Sequence, residues 1–169
     1  MKYILLASST AGHICPCLET ADFLKKHRRQ FVIISEKKKI PLMLLKDKEN
    51  IVFIDELKKY KSYISFLKIL KQYDKECVFL SFGGRLSTVF PMLYILGYRN
   101  LYIYELNRIM GKSNKIAKPF CKNVFSYFPL STAKNVKVIG HPQEDRKRLN
   151  YIKERGNKIL VLTGSNGTK

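Results

Sequence analysis

A succession of short, nearly unbroken apolar runs constrains the fold of this chain more than any other feature. They occupy residues 3–7, 31–34, 51–54, 77–82, 101–104, 124–128 and 136–139. A strand solvated on one face alternates apolar and polar residues; these runs carry aliphatic or aromatic side chains on both faces, as strands covered on each side do. Helical spacing fills the segments between them: Leu18, Ala21, Phe23 and Leu24, then residues 57–73, 88–96 and 116–121, with a shorter helix expected over 42–50. Alternating elements of this kind predict an α/β domain built on a doubly wound, mostly parallel, Rossmann-like sheet. The segment 88–96 is apolar almost all round, which predicts a buried helix.

Ligands of such sheets bind outside the carboxyl ends of the strands, and the small and polar residues of this chain collect there. The first run ends in Ser8 and Ser9 and continues through Thr10, Ala11, Gly12 and His13 to Pro16, which reads as a loop opening a helix. Small residues let a phosphate approach the backbone, a helix start supplies free N–H donors, and His13 adds a titratable group. The competing reading is an ordinary tight turn with a solvated histidine. The fourth run leads into Gly83, Gly84, Arg85, Leu86 and Ser87, and the fifth into Glu105, Leu106 and Asn107.

A length of 169 residues fits one domain able to bury a core without disulfides or metal, and 46% hydrophobic residues exclude a disordered chain. Lysine and arginine number 32 against 13 acids, so the net charge of +19 favours anionic partners: a membrane surface, a phosphorylated substrate or nucleic acid. Cys15, Cys17, Cys77 and Cys121 lack paired zinc-ligand spacing and are expected to be buried free thiols of a reducing compartment. No metal or cofactor is called for. No apolar stretch reaches the ~18 residues a membrane span needs, so a cytoplasmic protein touching a membrane from outside is expected.

Several motifs, in order along nearly the whole chain, resemble the MurG-type glycosyltransferases, two-domain GT-B enzymes that add N-acetylglucosamine to an undecaprenyl-linked intermediate of peptidoglycan synthesis. The family's glycine-rich T-[AG]-G-H-x-x-P loop is similar to residues 8–16, its G-G-Y-x-S-x-P to Gly83 through Ser87, and its H-E-Q-N with a following G-x-x-N to Tyr104 through Asn107, Gly111 and Asn114. Its S-F-P is similar to residues 125–129, its G-N-P to Gly140-His141-Pro142, and its G-G-S-Q-G to residues 163–167. The departures are Ser8 and Ser9 in place of glycines, Tyr104 and Leu106 in place of histidine and glutamine, and Glu144 near the position of an arginine.

The resemblance implies that residues 1–158 form the acceptor-side N-terminal domain with its linker. Residues 159–169 would be the first strand and glycine loop of an otherwise missing C-terminal donor domain, so the isolated chain is expected not to transfer sugar by itself. It implies His13 as the catalytic residue, with substrate binding by Thr10, Ala11, Gly12, Gly83, Gly84, Asn107 and Ser165. The implied partners are a UDP-sugar, a lipid-diphosphate acceptor, an anionic membrane surface on the inner face of the cell membrane, and a separate donor-domain chain if the enzyme is split. A truncated, inactive homologue and a basic nucleic-acid-binding module remain as alternatives; the latter lacks any recognised RNA or DNA motif. The family also places a hydrophobic, basic-flanked patch on the membrane. The segment 57–73 is the expected counterpart, packing its aliphatic residues inward while offering Tyr60, Tyr63 and Phe66 to lipid and its lysines to headgroups, each contributing about 1 kcal/mol; the alternative is a core helix whose lysines are simply its solvated face.

Overall fold

A computed structural model describes residues 1–130 and 135–139. Strands β1 (Lys2–Ala7), β2 (Gln30–Glu36), β3 (Ile51–Ile54), β4 (Val78–Ser81), β5 (Leu101–Glu105), β6 (Asn123–Ser126) and β7 (Val136–Val138) form one sheet in the order β3-β2-β1-β4-β5-β6-β7. Every neighbouring pair is parallel, from Leu5 beside Ile33 and Leu80 to Phe125 beside Lys137. This is the order and direction of a doubly wound Rossmann-like sheet.

The two-residue period of β1 divides its side chains between two cores. Ile4 and Leu6 join Ile34, Phe79 and Ile103 under α3 (Tyr60–Leu70) and α4 (Phe90–Ile95), with Phe66, Leu70, Phe90 and Leu93. Leu5 and Ala7 join Ile33, Phe82 and Tyr104 under α1 (Ala11–Lys26) and α2 (Lys39–Leu45), with Ile14, Cys17, Ala21 and Leu45. A short α5 (Lys112–Ala117) precedes β6.

Several expectations are corrected. The second helix runs over Lys39–Leu45, not 42–50, because Pro41 falls in its first turn, where a missing N–H leaves no bond unmade. The segment 57–73 is helical only over Tyr60–Leu70; Leu57 lies in the core before it, its N–H donating to Glu36 Oε1 at 3.4 Å. The helix expected over 88–96 divides between Val89 and Phe90 into the end of a 3₁₀ turn, Arg85–Val89, and α4, with Pro91 in the first turn of α4; it is not wholly buried, since Ile95 is 80% exposed. Helical structure expected over 116–121 begins earlier, at Lys112. Phe66 is buried in the core, so it is not available to lipid, and Tyr63 is held by a 3.2 Å hydrogen bond between its hydroxyl and that of Thr88. Cys15 is exposed, while Cys17 and Cys77 are buried; burial pushes the Cys17 thiol up.

Candidate functional site

Because β1, β4 and β5 are adjacent and parallel, the residues that follow them emerge at one rim of the sheet. This places His13, Gly83, Gly84 and Asn107 on the same side. His13 lies in the first turn of α1 rather than in a loop: Thr10 keeps an extended backbone (φ −113°, ψ 151°), and its carbonyl accepts from the N–H groups of both His13 and Ile14. By helix geometry the N–H groups of Ala11 and Gly12 have no acceptor inside the helix and lie at the carboxyl end of β1. Thr10 makes no side-chain cap, since its hydroxyl is 3.0 Å from His13 Nδ1 instead.

The other edge of the imidazole packs on the double glycine. A Cβ at Gly83 would come within 3.1 Å of His13 Nε2, and one at Gly84 within 3.3 Å of its Cε1 and 2.3 Å of the Ser8 side chain. Both glycines have positive φ, 100° and 73°. Ser8 stands where the family has glycine and is put to use: its Oγ accepts the Leu86 N–H at 3.3 Å and ties the first loop to the fourth.

Beneath this surface is a polar network in which Glu105, Asn114, Ser81 and Ser87, none of them expected as site residues, join Asn107 and Gly83. Buried Glu105 accepts from the backbone N–H and Nδ2 of Asn107 at 3.0 and 2.9 Å on one oxygen. Its other oxygen accepts from the Gly111 N–H at 3.1 Å and Asn114 Nδ2 at 2.8 Å. All four partners are donors, as an ionised carboxylate requires. Ser87 Oγ donates to Asn114 Oδ1 at 2.7 Å, so the 2.7 Å bond between the two serine hydroxyls must run from Ser81 to Ser87. Ser81 in turn accepts from Gly83 N at 3.3 Å. Every hydrogen in this chain has a defined direction, which fixes the glycine turn, α5 and the Asn107 loop relative to one another. The available signal was an acid ending an otherwise apolar run: a carboxylate at the close of a buried strand needs several donors, and Asn107, Gly111 and Asn114 follow within nine residues.

Asn107 is exposed, with its Nδ2 committed to Glu105; its carbonyl is the acceptor it offers at the rim. Burial lowers the pKa of His13 below 6.5, opposed by the charge of Glu105, so the imidazole is neutral at pH 7 and able to accept a proton. A histidine whose folded pKa lies below its unfolded one contributes stability above the unfolded value, near 6.5, that is lost as pH falls through the folded value. Urea midpoints at pH 7.5 and 5.5 are therefore expected to differ more for the parent chain than for His13→Gln; an equal difference would show that His13 is not desolvated. Among the described residues no three histidine, cysteine or acidic side chains gather as a metal site. Ser165 and Glu144 lie outside the described residues.

No family model matches the chain. Among curated proteins it is 26% identical to the UDP-N-acetylglucosamine–N-acetylmuramyl-(pentapeptide) pyrophosphoryl-undecaprenol N-acetylglucosamine transferase of Fusobacterium nucleatum, over 96% of this chain and 52% of that protein. It is 28% identical to the enzyme of the same name from Sulfurihydrogenibium, over 99% of this chain and 55% of the relative. The chain is similar to the MurG-type transferases. It spans about half the length of the curated relatives it matches. The crystal structure of Acinetobacter baumannii MurG superimposes with a TM-score of 0.71 at 23% identity, covering 83% of this chain and 46% of that one, a likeness that concerns the fold. The MurG resemblance read from the sequence and the Rossmann-like architecture thus agree with independent matches to sequence and structure.

Proposed function

We propose that the chain is the acceptor-side half of a MurG-type transferase, holding a lipid-diphosphate acceptor while N-acetylglucosamine arrives from a UDP-sugar on a donor half. The carrying observation is the match to N-acetylglucosamine transferases over 96–99% of the chain. In this reading neutral His13 takes the proton of the attacking acceptor hydroxyl, and displacement at the sugar carbon releases UDP. Thr10, by its contact with Nδ1, sets the imidazole's orientation. The N–H groups of Ala11 and Gly12 lie where an acceptor phosphate can be held, and the Asn107 carbonyl receives a substrate hydroxyl. Gly83 and Gly84 shape the wall behind the imidazole. The donor half, with Ser165 at its start, belongs either to the same longer polypeptide or to a separate chain.

The acceptor's lipid places the protein on the cytoplasmic face of a membrane, and the outer face of α3 and α4 supports this. There Ile64, Leu67, Met92, Ile95 and Leu96 line a 360 Å³ groove bordered by Lys68 and Lys71. The membrane-facing residues are therefore Ile95 and its neighbours, not Phe66. Among the described residues no helix is long and apolar enough to cross a membrane. Co-sedimentation with anionic vesicles, plain or doped with lipid-diphosphate acceptor, separates the two surfaces. Ile95→Ser with Lys68→Ala and Lys71→Ala is expected to weaken binding to both vesicle types, about fivefold for each lysine. His13→Ala is expected to remove only the increment caused by the acceptor. Acceptor that adds nothing to binding contradicts the acceptor role, and binding equal on neutral vesicles contradicts the membrane role.

A further inference from the structure

A second group of charged side chains lies on the same rim, outside the His13 arrangement. Glu56, just after β3, receives Lys38 Nζ at 2.6 Å and Arg85 Nη1 at 2.6 Å on one oxygen, and Lys58 Nζ at 2.7 Å on the other. Hydrogen bonds from Lys38 and Lys58 hold the Glu56 carboxyl down to about 2. Its charge is therefore constant over the working range of pH. The three cations come from three separate loops, after β2, β3 and β4, and no second carboxylate pairs with them among the described residues. One carboxylate against three cations leaves two positive charges in surplus. The cationic side chains remain 35%, 63% and 47% exposed while that of Glu56 is only 21% exposed, so their outer faces are open to a ligand.

Three like charges drawn together repel one another, and a single carboxylate relieves that repulsion only in part. Their convergence at the carboxyl ends of parallel strands, where such folds take anionic ligands, gives the surplus a use. Arg85 also directly follows Gly84, whose Cα faces the His13 ring, so the cluster adjoins the wall of the His13 pocket. We propose that Lys38, Lys58 and Arg85, gathered by Glu56, form an oxyanion subsite for a phosphate-type dianion carried by the acceptor. The surplus matches a doubly esterified diphosphate better than a single carboxylate, and a guanidinium can grip two phosphate oxygens at once. This rests on the acceptor-side reading, and it makes Arg85 a specificity element of this chain at the position where the family motif has tyrosine.

The probe is inorganic pyrophosphate, with acetate as the monoanion, titrated into the ¹⁵N-labelled 169-residue chain at low salt. Pyrophosphate is expected to shift the amides of residues 38, 56–58 and 85, and to bind at least tenfold more tightly than acetate. Lys58→Ala and Arg85→Ala, both at exposed positions, are each expected to weaken it about three- to tenfold, with Arg85→Lys in between. Unchanged pyrophosphate affinity in both alanine variants, or an equal response to acetate, would overturn the subsite. A lipid-diphosphate analogue that moves residues 10–13 and 105–107 but not the cluster would also overturn it while leaving the acceptor role standing. Pyrophosphate held by the cluster, with no response of residues 10–13 to the analogue, would sustain the subsite and contradict the acceptor role.

Discussion

Glu105→Ala is expected to lower the unfolding free energy by about 3–5 kcal/mol, because it removes hydrogen bonds to a charged group and strands donors that were satisfied only by it. The four bonds from Asn107, Gly111 and Asn114 are lost together, and the buried Asn114 amide keeps only its link to Ser87. Glu105→Gln preserves the shape but aims an N–H₂ group at donors, so its loss is expected to be smaller. The charge of Glu105 raises the His13 pKa, and both variants are therefore expected to lower it further in an NMR titration of the ring. Urea unfolding that shows a loss below about 1 kcal/mol for the alanine variant would mean that the network does not hold the rim together.

The second large effect is expected at Gly84. An alanine there must adopt φ near 73° and bring its Cβ to 2.3 Å from the Ser8 side chain, so the strained backbone and the collision add. A loss of about 2–4 kcal/mol follows. Gly97 is the control: its φ is 94°, but the nearest atom to a Cβ is Lys75 Nζ at 3.2 Å, the end of a flexible side chain that can swing away. Gly97→Ala should therefore cost only the backbone term, about 1–2 kcal/mol. Equal losses in chemical denaturation would show that the Ser8 contact is relieved by movement of the first loop, and that the two loops are not locked together.

The sheet was legible because burial on both faces writes itself into sequence as continuous aliphatic runs, and the strand order follows the usual doubly wound pattern. The start of α1 was harder to read. Gly12 sits in the first turn, where a missing side chain and loose N–H groups are tolerated, but Pro16 lies inside the helix, so a sequence that reads as a loop runs on as helix. Phase was the difficulty in α3. With Tyr60, Tyr63, Ile64, Phe66, Leu67 and Leu70 spread around most of its circumference, periodicity alone did not say which edge meets the sheet; packing put Phe66 and Leu70 inside and left Tyr60 in solvent. At the rim, His13, the glycines and Asn107 could be named because each lies in the segment that leaves the carboxyl end of a strand. Asn114 could be named in one motif with Glu105 and Asn107, but its place beneath the glycine turn, bonded to both Glu105 and Ser87, comes from the packing of α5 and is not displayed by chain order.

The acceptor role is tested most directly by titrating a water-soluble, short-chain lipid-diphosphate analogue carrying the N-acetylmuramyl sugar into the ¹⁵N-labelled chain and mapping the amides that move. The expected response is saturable and centred on residues 10–13, 83–84 and 105–107, with the His13 ring resonances shifting and the response weakened in His13→Ala and Asn107→Ala. No saturable shift at those residues, or a response confined to another part of the surface, would contradict the assignment of this chain as the acceptor-side half of a MurG-type transferase.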